Sequence, residues 1–181
     1  EYTGPVQSFA QLCRAFSLVH DNYVARGYMS PHPTGMRYSI YELLPTAMTF
    51  VVADHQRVLG TLTTVLDSLG GLPLGGTFAD KLDQLRARGA LVAEATMFAC
   101  SHADTTGASQ AYLTLMCYAF SWCCLYGVTD LCIVINPCHR SFWQRIGGFE
   151  VLEESRPCKH VRSAPGVLLR LDMKAVLSNS C

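Results

Sequence analysis

The chain has 181 residues, half of them apolar, and its Lys plus Arg and Asp plus Glu balance at 14 each. That length supports one substantial core, so a single domain over 1–181 is expected. The charge balance removes the broad basic field on which non-specific nucleic-acid binding relies.

In chain order, Phe9, Leu12, Cys13, Phe16, Val19, Tyr23 and Val24 recur at three- and four-residue steps, which predicts a helix over Phe9 to Val24 that Gly27 ends. "RGYMSPHPTGMRYS" is predicted loop. "TAMTFVVAD" and "RVLGTLTTVLD", joined through Asp54 to Arg57, predict an antiparallel hairpin. "LGGLPLGG" is a second loop, and "FADKLDQLRARG" predicts a short helix stopped by Gly89. Ala90 to Cys100 then predicts a strand buried on both faces. A long apolar helix from about Ala108 to Tyr126 follows, then the strand "DLCIVIN", a helix "PCHRSFWQRIG", and the strands "FEVLEE" and "GVLLRLDM". The pattern is an α/β mixed sheet of six strands with helices on its faces.

The segment "ASQAYLTLMCYAFSWCCLYG" approaches the length of a membrane span. Ser109, Gln110, Thr114 and Ser121 interrupt it, so a buried helix, apolar all round, is expected rather than stable membrane insertion. The aromatic run Tyr112, Tyr118, Phe120, Trp122 and Tyr126 then belongs to the core, or part of it lines an apolar channel. No charged start with a short apolar core opens the chain, so no secretory signal is expected. The nine cysteines include no Cys-x-x-Cys pair and sit mostly in apolar runs, as buried thiols in a reducing cytoplasm do. Cys100 with His102 and Cys158 with His160 have one-residue gaps, too short for ordinary zinc pairs, so no metal is expected.

Glu94 stands in the middle of the apolar strand, where an unpartnered charge costs several kcal/mol, about the penalty for a buried ion. It is either a general base or a carboxylate paired with an arginine such as Arg86. Strand alternation puts Thr96 and Phe98 on its face as candidate substrate contacts. His139 at a helix start is a second candidate base, or a solvated histidine. Arg37 in the first loop could hold an acceptor's carboxylate, or be a surface arginine. "RPCKHVR" is the densest positive cluster. Its Arg156, Lys159 and Arg162 could steer an acidic partner, or be a solvated loop, and Lys81, Arg86 and Arg88 form a rival patch.

The element order resembles the GNAT-like acyltransferase fold, and "INPCHRSFWQRIGGFEVL" is similar to that fold's helix and following strand. "GTLTTVLDSLGGLPLGGTFADKLDQLRARGALVAEATMFA" and "APGVLLRLDM" resemble the N-acyl amino acid synthase branch, relatives of the autoinducer synthases. The resemblance runs from Phe9 to Met173. It implies N-acyl transfer of a long fatty acyl group, carried as a phosphopantetheine thioester on acyl carrier protein, to the amine of an amino acid or similar small acceptor. No other cofactor is implied, and the strands around Glu94 and Val134 should diverge to admit the thioester arm. Phe142 and Trp143 fall where the family carries a pair such as Phe-Tyr, and are candidate substrate contacts. Trp143 departs from the pattern because an indole cannot deliver a proton as a phenol does. "SHADTTGASQ" has no Arg or Lys, one glycine and the acidic Asp104 where coenzyme-A-dependent relatives carry a basic, Gly-rich cradle. Acyl carrier protein is therefore the expected donor. A coenzyme-A-dependent acyltransferase and an inactive acyl-binding relative are the alternatives.

Overall fold

In the computed structural model, which describes residues 2–54, 57–101 and 105–178, seven strands and five α-helices alternate along the chain. In order they are β1 (Tyr2–Pro5), α1 (Phe9–Ala25), β2 (Ala47–Asp54), β3 (Arg57–Leu66), α2 (Gly75–Ala87), β4 (Val92–Cys100), α3 (Thr105–Leu125), β5 (Asp130–Ile135), α4 (Arg140–Gly147), β6 (Glu150–Cys158), β7 (Ala164–Asp172) and α5 (Met173–Ser178). The strands form a mixed sheet in the order β1-β2-β3-β4-β5-β7-β6. The chain divides into two compact units, 1–65 with 95–122 and 66–94 with 123–181.

In the first unit, Ser8 caps α1 by accepting the N–H of Gln11, and Ala15, Phe16 and Val19 face inward. Phe16 and Val19 pack with Met97 and Ala99, and Leu12 and Met36 close over them. β2 and β3 pair antiparallel with a register shift at Val52/Ala53, and the buried hydroxyls of Thr49 and Thr63 bond at 2.8 Å. Gly60 lets α3 approach β3 closely: a Cβ there would lie 3.2 Å from Leu115 Cδ1. The sequence does not announce β1, whose Gly4 and Pro5 read as breakers. It pairs with Phe50–Ala53 at the sheet edge, where proline is tolerated.

The long helix departs from expectation. Leu115, Ala119 and Trp122 are buried on α3, whereas Leu113 and Tyr118 are exposed, so it buries one face rather than its whole circumference. Among the described residues no helix is long and apolar enough to cross a membrane.

In the second unit, Phe78, Leu82 and Leu85 form the buried side of α2, and Gly89 at φ +73° ends the helix. A single helical turn begins at Gly75, inside the stretch expected to be loop, and the kink at Phe78 separates it from the helix that follows. β4 and β5 run parallel with Val92–Glu94 opposite Asp130–Cys132, β5 pairs with β7 from Asp130↔Asp172 to Ile135↔Val167, and β6 pairs with β7. Leu131, Leu168 and Leu169 are fully buried. Removing each such side chain from water is worth about 1.5–3 kcal/mol. β6 continues to Cys158 and a 3₁₀ turn covers Lys159–Val161, so "RPCKHVR" runs from a strand end into an exposed turn.

Candidate functional site

Glu94 lies opposite Cys132 in the parallel pair and is only 3% exposed. Its Oε2 accepts the N–H of Leu74 at 2.6 Å. Leu74 immediately precedes the single turn that opens α2, and Phe78 (φ −124°, ψ 36°) breaks the helical geometry after that turn, so what the carboxylate gains here is a charge-assisted hydrogen bond. The Gly-Leu-Pro loop and the buried carboxylate thus account for each other. Pairing with Arg86 is overturned: its Nε and Nη2 fork onto Asp67 at 2.7 Å each, and its Nη1 reaches Asp83 at 3.1 Å. Burial and then the charge of Glu94 push the Cys132 thiol up, and Cys158 is raised by burial with Glu94 adding to it. Burial likewise pushes Cys123 up to about 12 and Cys100 to about 11. These thiols stay protonated near neutrality and are poor nucleophiles.

The registered pairing of β4 with β5 ends at Glu94↔Cys132, while β4 itself runs on to Cys100. Three residues past Glu94, Met97 has φ +54°, a left-handed conformation uncommon for a bulky residue and typical of bulges and functional backbone. A left-handed residue ends strict alternation, so the side Phe98 takes is not set by that of Glu94. Phe98 packs edge-on against Tyr112 at 4.5 Å between centroids, and Thr96 is half-buried. Nothing in the residue type Met announces this bend.

Arg37, in the first unit, is half-buried rather than a surface arginine. Its backbone N–H donates to the Phe16 carbonyl at 3.1 Å and its guanidinium lies 4.7 Å over the Tyr23 ring. Its Nε is buried with no hydrogen-bond partner among the described residues. Burial raises the Tyr23 hydroxyl, and Arg37 partly opposes that rise. Glu42, which the sequence reading missed, is buried nearby in the chain and accepts from both the N–H and the hydroxyl of Ser39 at 2.6 Å.

His139 is exposed where α4 begins. Phe142 is 38% exposed, but Trp143 is 7% exposed and packs edge-on to Phe149 at 5.2 Å, so it fills the core of its unit. Arg156 is corrected: it forks onto Asp80 at 2.6 and 2.9 Å, reaches Glu153 at 3.2 Å and stacks over Phe78, joining β6 to α2 instead of facing a partner. Lys159 and Arg162 are exposed on the following turn. In the rival patch Lys81 pairs with Glu153 at 2.7 Å, leaving Arg88 as its exposed cation beside the engaged Arg86. Among the described residues no group of three or more His, Cys, Asp or Glu is placed to hold a metal. His102 and Asp104, which entered the zinc and donor arguments, lie outside the described residues.

The family model for the N-acyl amino acid synthase FeeM matches residues 14–172. The solved structure of FeeM, an N-acyl amino acid synthase from uncultured soil microbes, is similar at 23% identity and a TM-score of 0.83, covering 96% of this chain and 91% of that one. BjaI, a coenzyme-A-dependent acyl-homoserine lactone synthase solved with SAM and isopentyl-CoA, is similar at 15% identity and a TM-score of 0.64, covering 90% of this chain and 75% of that one. An acyl-CoA N-acyltransferase from Pseudomonas aeruginosa is similar at 14% identity and a TM-score of 0.64, covering 94% and 99%. These likenesses give the fold as GNAT-like. No curated protein sequence matches the chain.

Proposed function

Because this chain belongs to the N-acyl amino acid synthase family, whose members are N-acyltransferases, we propose that it joins a long-chain fatty acyl group from acyl carrier protein to the amine of an amino acid or similar small acceptor. The observation that carries the reading is the Glu94 carboxylate, buried mid-strand and held by the Leu74 N–H. The amine nitrogen attacks the thioester carbonyl, the new C–N bond forms as the C–S bond breaks, and the phosphopantetheine thiolate leaves. Glu94 takes the proton that the attacking amine sheds, directly or through one water, and the departing thiolate is protonated in turn. Backbone N–H groups of β4, bent at Met97, stabilise the oxyanion.

Arg37 is assigned the acceptor's carboxylate, because its unpartnered, desolvated Nε is a donor awaiting an acceptor. Thr96, Phe98 and Phe142 are assigned to contact substrate. Trp143 supports that helix through packing, and His139 is the reserve base. Lys159 and Arg162 remain the cations for docking an acidic carrier. The lack of Arg and Lys in "SHADTTGASQ" favours the carrier protein over coenzyme A. The eight described cysteines are free thiols, which suits a reducing cytoplasm.

The test is direct. The protein is incubated with acyl carrier protein bearing a long acyl chain and a mixture of amino acids, and products are read by mass spectrometry. An N-acyl amino acid is the expected product. Formation of free fatty acid alone, or binding of the acyl chain without turnover, would overturn the reading.

A further inference from the structure

His20 is a buried polar residue that the acyl-transfer argument does not use; it is 7% exposed on the inner part of α1. Both of its ring nitrogens are engaged. Nε2 accepts the backbone N–H of His32 at 3.0 Å, and Nδ1 lies 2.9 Å from Asp21 Oδ1. An amide can only donate, so Nε2 must keep its lone pair and the proton must sit on Nδ1, donated to Asp21. Asp21 therefore selects the tautomer that leaves Nε2 free to accept. A ring protonated on both nitrogens could not make the bond to His32.

The local sequence explains why this one amide needs a partner. Pro31 and Pro33 flank His32 and have no N–H, so His32 carries the only amide donor of the tripeptide. From there the loop folds on itself. Gly35 donates its N–H to the His32 carbonyl at 2.8 Å with φ +61°, and Thr34 Oγ1 accepts the Met36 N–H at 3.3 Å. Arg37 then donates its own N–H to the carbonyl of Phe16. Phe16 and His20 are four residues apart on α1 and so lie on one face of that helix. The segment carrying Arg37 is fastened to a single helix face at its two ends.

We propose that His20 is a positioning residue, a latch that holds the 32–37 loop so that Arg37 presents its guanidinium to the acceptor's carboxylate. The proposal rests on the assignment of Arg37 to that carboxylate. His20→Phe keeps the ring volume but removes the acceptor. His20→Gln keeps an acceptor oxygen near the Nε2 position. With one buried N–H left unsatisfied in the Phe variant, KM for the amino-acid acceptor should rise about ten-fold, while kcat at saturating acceptor and KM for the acyl donor stay at the parent values. Hydrogen exchange at the His32, Met36 and Arg37 amides should quicken in the same variant. His20→Gln should restore both readouts.

Slow exchange at those amides in His20→Phe would overturn the latch. So would a rise in acceptor KM equally large in His20→Gln, which would mark a packing role instead. Arg37→Gln is measured in parallel to separate the two assignments. If it leaves acceptor KM unchanged, the assignment of Arg37 falls, and the latch is then decided by exchange alone: fast in Phe and slow in Gln supports it.

Discussion

Replacing Glu94 by Gln preserves the oxygen that accepts the Leu74 N–H, so the variant should fold normally while losing the proton acceptor. General-base help typically contributes about a hundred- to ten-thousand-fold, and single-turnover acyl transfer should fall by a factor in that range. Glu94→Ala differs in kind, because it leaves the Leu74 N–H buried and unsatisfied. It should lower unfolding free energy by about 1–3 kcal/mol in denaturant titration, and Gln should not. Normal turnover in Glu94→Gln would move the base elsewhere, to His139 first. For Arg37, the forked geometry is the property under test. Arg37→Lys retains the charge but not the fork, and should raise acceptor KM several-fold with the donor KM unchanged.

At the scale of elements, the contact between α2 and β6 rests on Asp80, Lys81, Glu153 and Arg156. The Arg156 hydrogen bond holds the Asp80 carboxyl below its ordinary 3.8, and the Lys81 hydrogen bond holds Glu153 below its ordinary 4.5. Depressed carboxylates stabilise the fold fully above those ordinary values, and the contribution is lost as pH falls through the lowered ones. Thermal unfolding followed downward from pH 6 should therefore show a decline that is smaller in Arg156→Ala than in the parent, since that variant has already lost the pair. Asp80 is exposed and Glu153 only half-buried, so solvent screens both and the difference should be modest. β7 offers a sharper test. A Cβ on Gly166 would lie 2.5 Å from Cys158 Sγ and 2.9 Å from Val134 Cγ1, both buried or half-buried neighbours in the same sheet. Gly166→Ala should destabilise by about 1–3 kcal/mol, the usual cost of overpacking, read from the denaturant midpoint.

For the molecule as a whole, the donor is the quantity that family membership leaves open, since a coenzyme-A-dependent synthase shares the fold. Turnover with acyl carrier protein and with coenzyme A bearing the same acyl chain should favour the carrier protein. The preference should weaken as ionic strength rises if Lys159 and Arg162 help to steer an acidic carrier. A net charge of zero makes this a local effect rather than a field of the entire protein.

Period and breakers in the sequence were enough to place α1, the β2–β3 hairpin, β4, β5 and β7 within a few residues, because each has an apolar repeat bounded by glycine, proline or a charged turn. The family, too, was legible in the Gly-Leu-Pro loop and the "IGGFEVL" turn. β1 and α5 were missed, since four residues with Gly4 and Pro5 and one short C-terminal turn carry no period of their own and form only against what they pack on. Partners were the larger gap. Arg86 and Glu94 are eight residues apart along the chain and looked like a pair, yet Arg86 turns to Asp67 and Glu94 to the backbone of Leu74. The sequence by itself determined which residues could carry charge, proton or carboxylate recognition, because those are properties of side-chain type. Only the tertiary structure decided that Arg156 is spent on Asp80, that Trp143 is core, that Met97 bends β4 and that Arg37 has a donor left over, because each depends on which distant backbone or side chain arrives within hydrogen-bonding reach.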